Sequence, residues 1–128
     1  MSAADNYLNA SGLPPAEVSL LPLLKERIWP SSAPTDAPVW IHGVSVGEVE
    51  LLAGLAGALR DLSPSLELLL TSTTPAGVAL LARRFNGAAR VHLRPFPLDL
   101  PFAVRRFFSA ASARVLVLVE TELWPAVL

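Results

Sequence analysis

From Pro38 onward the chain alternates four times between a short β-rich run and a helical repeat, with connections of only a few residues. No other feature constrains the fold as much. Strands joined through helices run parallel, and such crossovers are right-handed, so they lay helices on both faces of one sheet. The β-rich runs are Val39–Val44, Leu66–Thr71, Arg90–Arg94 and Val115–Val119. After the first, Leu52, Leu55, Leu59 and Leu62 recur at helical spacing, and Asp61-Leu62-Ser63-Pro64 ends the repeat. The second helix opens on Thr74 as N-cap with Pro75 behind it, shows Val78, Leu81 and Phe85 on one face, and stops at Asn86-Gly87. The third runs from Pro101, with Val104, Phe107, Phe108 and Ala111 on one side and Arg105 and Arg106 on the other. Val115–Val119 lacks polar alternation, which predicts burial on both faces. Trp124-Pro125 opens a fourth helix. The expected fold class is α/β, a doubly wound parallel sheet of at least four strands.

Residues 1–37 read as an N-terminal tail and linker with one short helix. Pro14-Pro15-Ala16-Glu17 suits a helix start, while Pro30 to Pro38 is a Pro/Ser/Ala stretch that regular elements do not tolerate. No basic region precedes an apolar run as in a secretory signal. The most apolar early run, Val18–Leu24, is interrupted by Pro22 and falls far short of the roughly 20 residues a bilayer requires. With 52% apolar and 16% charged residues the chain is no disordered tail. Without cysteine it has neither a disulfide framework nor a Cys-built metal centre. No other metal-ligand spacing occurs, and Gly43-Val44-Ser45-Val46-Gly47-Glu48 is neither a dinucleotide fingerprint nor a P-loop. A net charge of −1 gives no bulk attraction to nucleic acid, but the charge is unevenly spread: seven arginines and one acid, Asp99, lie between Arg83 and Arg114. Such a zone is either a solvated face or a site for an anionic partner.

In open parallel sheets ligands gather beyond the carboxyl ends of the strands. That edge collects Ser45, Gly47 and Glu48 from the first loop, Thr71 to Pro75 from the second, Pro97 and Asp99 from the third, and Glu120, Thr121 and Glu122 from the fourth. Each has two readings. Glu48 falls in a first helical turn, where the macrodipole favours any acid by roughly 0.3–1 kcal/mol. It also stands where a general base would be held ionised, beside a glycine that admits a close approach. The Thr71–Thr74 run is a strand end and an N-cap, or an anion or sugar-hydroxyl site at a helix N-terminus. Glu120 and Glu122 are a solvated turn, or two carboxylates on one side. His42 and His92, inside strands, read as core or supporting histidines.

Taken together, the loops resemble one family. Trp40-Ile41-His42-Gly43-Val44-Ser45-Val46-Gly47-Glu48 is similar to the first strand and loop of the transferases of 3-deoxy-D-manno-octulosonic acid (Kdo), which add this sugar to lipid A. The family's TxTTPxG stretch is matched by Thr71, Thr73, Thr74, Pro75 and Gly77. Its P-Y-D-L-P stretch is matched by Pro97, Asp99, Leu100 and Pro101, and its V-E-T-E-L-W-P-N stretch by Val119 to Pro125. The four motifs span residues 38–128 in the family's order. Leu98 stands in place of the family's tyrosine and Ala126 in place of its asparagine, and the apolar anchoring segment usual at the N-terminus is reduced here to Val18–Leu24 and Trp29.

The resemblance implies a Rossmann-like half of a two-domain GT-B glycosyltransferase: residues 38–128 as the acceptor-binding domain, truncated at its C-terminal end, with the donor domain absent and this chain inactive alone. It implies Glu48 as catalytic base for inverting, metal-independent transfer, with Ser45, Gly47, Thr73, Thr74, Asp99, Glu120 and Glu122 binding the acceptor or assisting. No cofactor is implied. The donor substrate is CMP-Kdo, bound mainly by the missing domain, and the acceptor a lipid A precursor. The expected location is peripheral, on the cytoplasmic face of the inner membrane. Since that acceptor is bis-phosphorylated and membrane-bound, Arg105 and Arg106 suit phosphate or anionic headgroups. The alternative is a non-catalytic module, truncated or diverged, that binds phosphorylated glycolipid or a partner chain.

Overall fold

A computed structural model describes residues 20–119. The elements are α1 (Leu20–Ile28), β1 (Val39–His42), α2 (Val46–Leu62), β2 (Leu68–Ser72), α3 (Pro75–Phe85), β3 (Val91–Pro95), α4 (Pro101–Ala111) and β4 (Val115–Leu118). The four strands form one parallel sheet in the order β3-β2-β1-β4. This is the doubly wound α/β fold that the alternation requires. The start of a helix at Pro14 and the helix at Trp124 lie outside the described residues.

Strand alternation sorts the core into two layers. Ile41, Leu68, Leu70, Val91 and Leu93 point to one face and pack against Val49, Leu52, Ala53 and Ala56 of α2 and Leu80, Leu81 and Phe85 of α3. Trp40 and Leu69 point to the other face, where they meet Ala37, Phe96, Phe107 and Ala111. Helix α1 lies on β3, with Leu23 buried. Helix starts follow the local chemistry. Thr74 caps α3 by accepting from the Gly77 amide, and Pro75 and Pro101 occupy first helical positions whose N–H would have no partner. Gly87, at φ +70°, closes the end of α3.

Two expectations are corrected. The buried stripe of α2 is Val49, Leu52, Ala53 and Ala56, with Leu59 partly buried, whereas Leu55 is partly exposed and Leu62 is 83% exposed. At 3.6 residues per turn, Leu55 and Leu62 fall about 100° from the centre of that stripe. Val49 and the small Ala56 occupy the centre, with Leu52 and Ala53 on either side. The leucine spacing marked a helix without marking its buried side. β4 is not buried on both faces either. Among the described residues it pairs only with β1, Val115 is 53% exposed, and Leu116 to Leu118 are half-buried. An unbroken apolar run promises cover on both faces, but no described helix follows β4 to supply it.

The stretch from Pro30 to Pro38 has no regular structure, yet it is strapped to the body. Thr35 closes the end of α4, donating its amide to the Ala110 carbonyl (3.1 Å) and its hydroxyl to that of Ala111 (3.0 Å). Arg94 donates to the Ala33 carbonyl, Arg106 Nε to the Pro30 carbonyl at 2.5 Å, and the Ser31 amide to Glu26 at 3.0 Å. No described helix is long and apolar enough to cross a membrane.

Candidate functional site

The strand order reverses between β1 and β4, so the crevice of this sheet opens at their carboxyl ends. The loop there is Gly43–Ser45. Ser45 is the N-cap of α2, and its hydroxyl accepts from the Glu48 amide at 3.2 Å. Glu48 reaches back, and its Oε2 accepts from the amides of Val44 (2.9 Å) and Ser45 (3.0 Å). This reciprocal capping box holds the carboxylate at the helix N-terminus. The backbone bonds from Ser45 and Val44 keep its pKa below the ordinary glutamate value, against a smaller desolvation effect. Gly43 lies close beneath it: a Cβ there would stand 3.3 Å from the Glu48 backbone, a tight contact.

The hydroxyl-rich loop after β2 meets the same peptide from the other side. Ser72 Oγ and Thr74 Oγ1 both donate to the Val44 carbonyl, each at 3.2 Å. A Cβ on Gly77 would lie 2.1 Å from Ser72 Oγ, so only glycine lets α3 start this close to the loop. The Phe96 amide donates to the Ser72 carbonyl at 2.8 Å, which ties in the end of β3. The Val119 amide donates to the His42 carbonyl at 2.8 Å and ties in the end of β4.

A buried polar cluster lies below the rim. Trp40 Nε1 donates to Thr71 Oγ1 at 2.8 Å, and His42 Nδ1 lies 2.9 Å from the same oxygen. The His42 ring stacks on Phe96 at 3.8 Å. Burial pulls the His42 pKa down to about 4; the Thr71 backbone and the Glu48 charge oppose this and Arg27 adds to it. His42 is therefore neutral at pH 7. The unfolded chain takes up this proton near pH 6.5 and the folded chain only near 4, so the contribution is fully present above pH 6.5 and is lost as pH falls to 4, about 3 kcal/mol in all. Glu48, held low, adds loss below the carboxylate range; Glu26, raised by burial, acts in the opposite sense, its contribution fading as pH rises. The urea midpoint should accordingly fall between pH 7 and pH 4.5, and His42→Gln should flatten much of that fall.

The structure thus brings Ser45, Glu48 and Thr74 together through one peptide. Gly47 is exposed in the first turn of α2, and Thr73 is half-buried in the second loop. Asp99 is exposed in the loop between β3 and α4, and β3 is two strands from β1. Glu120 and Glu122 lie outside the described residues. The arginines do not form one zone. Arg90 and Arg114 precede β3 and β4, at the pole opposite the rim, while Arg83 and Arg84 lie in the last turn of α3. Arg84 pairs with Glu50, and Arg94 is buried at 3% exposure. Arg105 is exposed on α4, with Nε 3.3 Å from the Pro101 carbonyl, and Arg106 covers the Trp29 ring at 4.2 Å. Sequence reasoning put Ser72 on the rim but missed its bond to the Val44 carbonyl, and it missed the steric need for Gly77. A glycine three residues after the N-cap Thr74 was the available signal.

Residues 22–128 match the protein family described as 3-Deoxy-D-manno-octulosonic-acid transferase (kdotransferase). The 3-deoxy-D-manno-octulosonic acid transferase of Bordetella pertussis is 40% identical over 99 residues, covering 75% of this chain and 23% of that protein. The transferase of the same name from Haemophilus influenzae is 35% identical over 95 residues, covering 74% and 22%. A third, from Aquifex aeolicus, is 31% identical over 90 residues, covering 70% and 24%. The chain spans roughly a quarter of the length of these curated relatives. With a doubly wound sheet, a capped carboxylate at its switch point and a family match across most of its residues, the chain belongs to the Kdo transferase family, as an N-terminal domain of that family.

Proposed function

We propose that this domain supplies the acceptor side and the base of a glycosyl transfer in lipopolysaccharide biosynthesis, in which Kdo passes from CMP-Kdo to a lipid A precursor. The observation that carries this reading is the ionised Glu48 carboxylate on a rim shared with the hydroxyl-rich loop. A sugar hydroxyl of the acceptor attacks the anomeric carbon of Kdo as the bond from that carbon to the CMP phosphate oxygen breaks on the opposite face. CMP leaves with the electron pair, the configuration inverts, and Glu48 takes the hydroxyl proton; no metal enters the step. A carboxylate of low pKa is a weak base, but a hydroxyl adding to an oxocarbenium-like carbon becomes strongly acidic as the new bond forms.

Donor binding falls to a second domain of the complete enzyme. Trp29 (60% exposed) and Phe102 (46%) sit together with Arg106 over the Trp29 ring, an apolar and basic combination suited to a peripheral position on an anionic inner-membrane surface. Titrating this chain with each substrate tests the division of labour. A lipid A precursor should bind measurably and CMP-Kdo should not; CMP-Kdo binding without precursor binding would overturn the assignment.

A further inference from the structure

The peptide between Val44 and Ser45 carries two opposed sets of hydrogen bonds. Its carbonyl accepts from Ser72 Oγ and Thr74 Oγ1, and its N–H, that of Ser45, donates to Glu48 Oε2 at 3.0 Å. In a trans peptide the C=O and N–H point in opposite directions within one rigid plane, and no cis peptide occurs among the described residues. Fixing the carbonyl therefore fixes the direction of the N–H. We propose that Ser72 and Thr74 are positioning residues for the Glu48 carboxylate, acting through the 44–45 peptide from across the rim.

Both hydroxyls are committed to this task. Ser72 is fully buried. Thr74 Oγ1 accepts from the Gly77 amide at 3.0 Å, so its proton is directed outward to the Val44 carbonyl. Two donors on one carbonyl occupy both its lone pairs and polarise the peptide, which strengthens its N–H as a donor. The link makes the second loop part of the environment of the Glu48 carboxylate, although neither hydroxyl touches it. Its catalytic meaning rests on the reading of Glu48 as base; the coupling itself does not.

The test is the Glu48 titration in this chain, followed by carboxyl-carbon NMR. Ser72→Ala removes one donor and leaves the α3 cap intact. The Glu48 pKa should rise by about 0.3–1 unit, since a hydrogen bond to the charged form is weakened. Ser72→Ala combined with Thr74→Ala should raise it further, and Thr74→Ser should restore the wild-type value. An unchanged Glu48 pKa in folded Ser72→Ala protein would overturn the proposal. Should the double variant fail to fold, Ser72→Ala and Thr74→Ser still decide it. Because the titration needs no substrate, it decides the coupling whether or not Glu48 is the base; the base assignment is decided separately, by the transfer rate of Glu48→Gln.

Discussion

Replacing Trp40 by alanine should cost about 3–5 kcal/mol of folding stability, enough to unfold a substantial fraction of a domain whose total is about 5–15 kcal/mol. Trp40 is fully buried on the central strand β1. Its ring lies 5.7 Å from Phe96, 4.8 Å from Phe107 and 4.9 Å edge-on to Phe108, so one side chain joins the end of β3 to two positions on α4. Truncation opens a cavity between elements that cannot close without moving the sheet. Trp40→Phe keeps most of the packing but loses the bond to Thr71, and about 1 kcal/mol is expected for that change. The bond matters beyond its energy because the same Thr71 hydroxyl meets His42 below the rim. Urea denaturation measures both variants. A loss under 1 kcal/mol in Trp40→Ala would mean that this layer is not the second core.

Glu48→Gln has the opposite profile. Glutamine at the third helical position completes a capping box as glutamate does, so the fold should lose only a few tenths of a kcal/mol, mainly from the macrodipole. It cannot take a proton. In a transferase carrying this domain, kcat should fall about 10²–10⁴-fold, the usual contribution of a positioned general base, with KM for the acceptor little changed. The substitution separates the cap that the local structure shows from the proposed role as base. If Glu48 is only a cap, as the binding-module reading has it, the glutamine variant should behave as wild type.

The fold was legible because its signals are local. Thr74-Pro75 and Asn86-Gly87 mark a helix start and stop by backbone chemistry that no tertiary contact overrides here. What was hidden depends on neighbours. The buried side of α2 is the stripe of Val49, Leu52, Ala53 and Ala56, and a leucine count does not record that. Arg94 reads as one more surface cation, yet a strand position under the 30–38 strap buries it. The rim could be assembled from strand ends alone, which brought Glu48, Ser45 and Thr74 to one edge. The bridge that joins them could not, since it runs through a backbone carbonyl, and backbone groups have no signature in a sequence.

The Glu48 carboxylate is proposed to do chemistry from a position its cap would hold equally well. The most direct measurement is the single-turnover rate of Kdo transfer by the Glu48→Gln enzyme at saturating CMP-Kdo and acceptor, taken on protein whose melting temperature matches wild type. A rate reduced by about 100-fold or more is expected; a rate within a few-fold of wild type would contradict it.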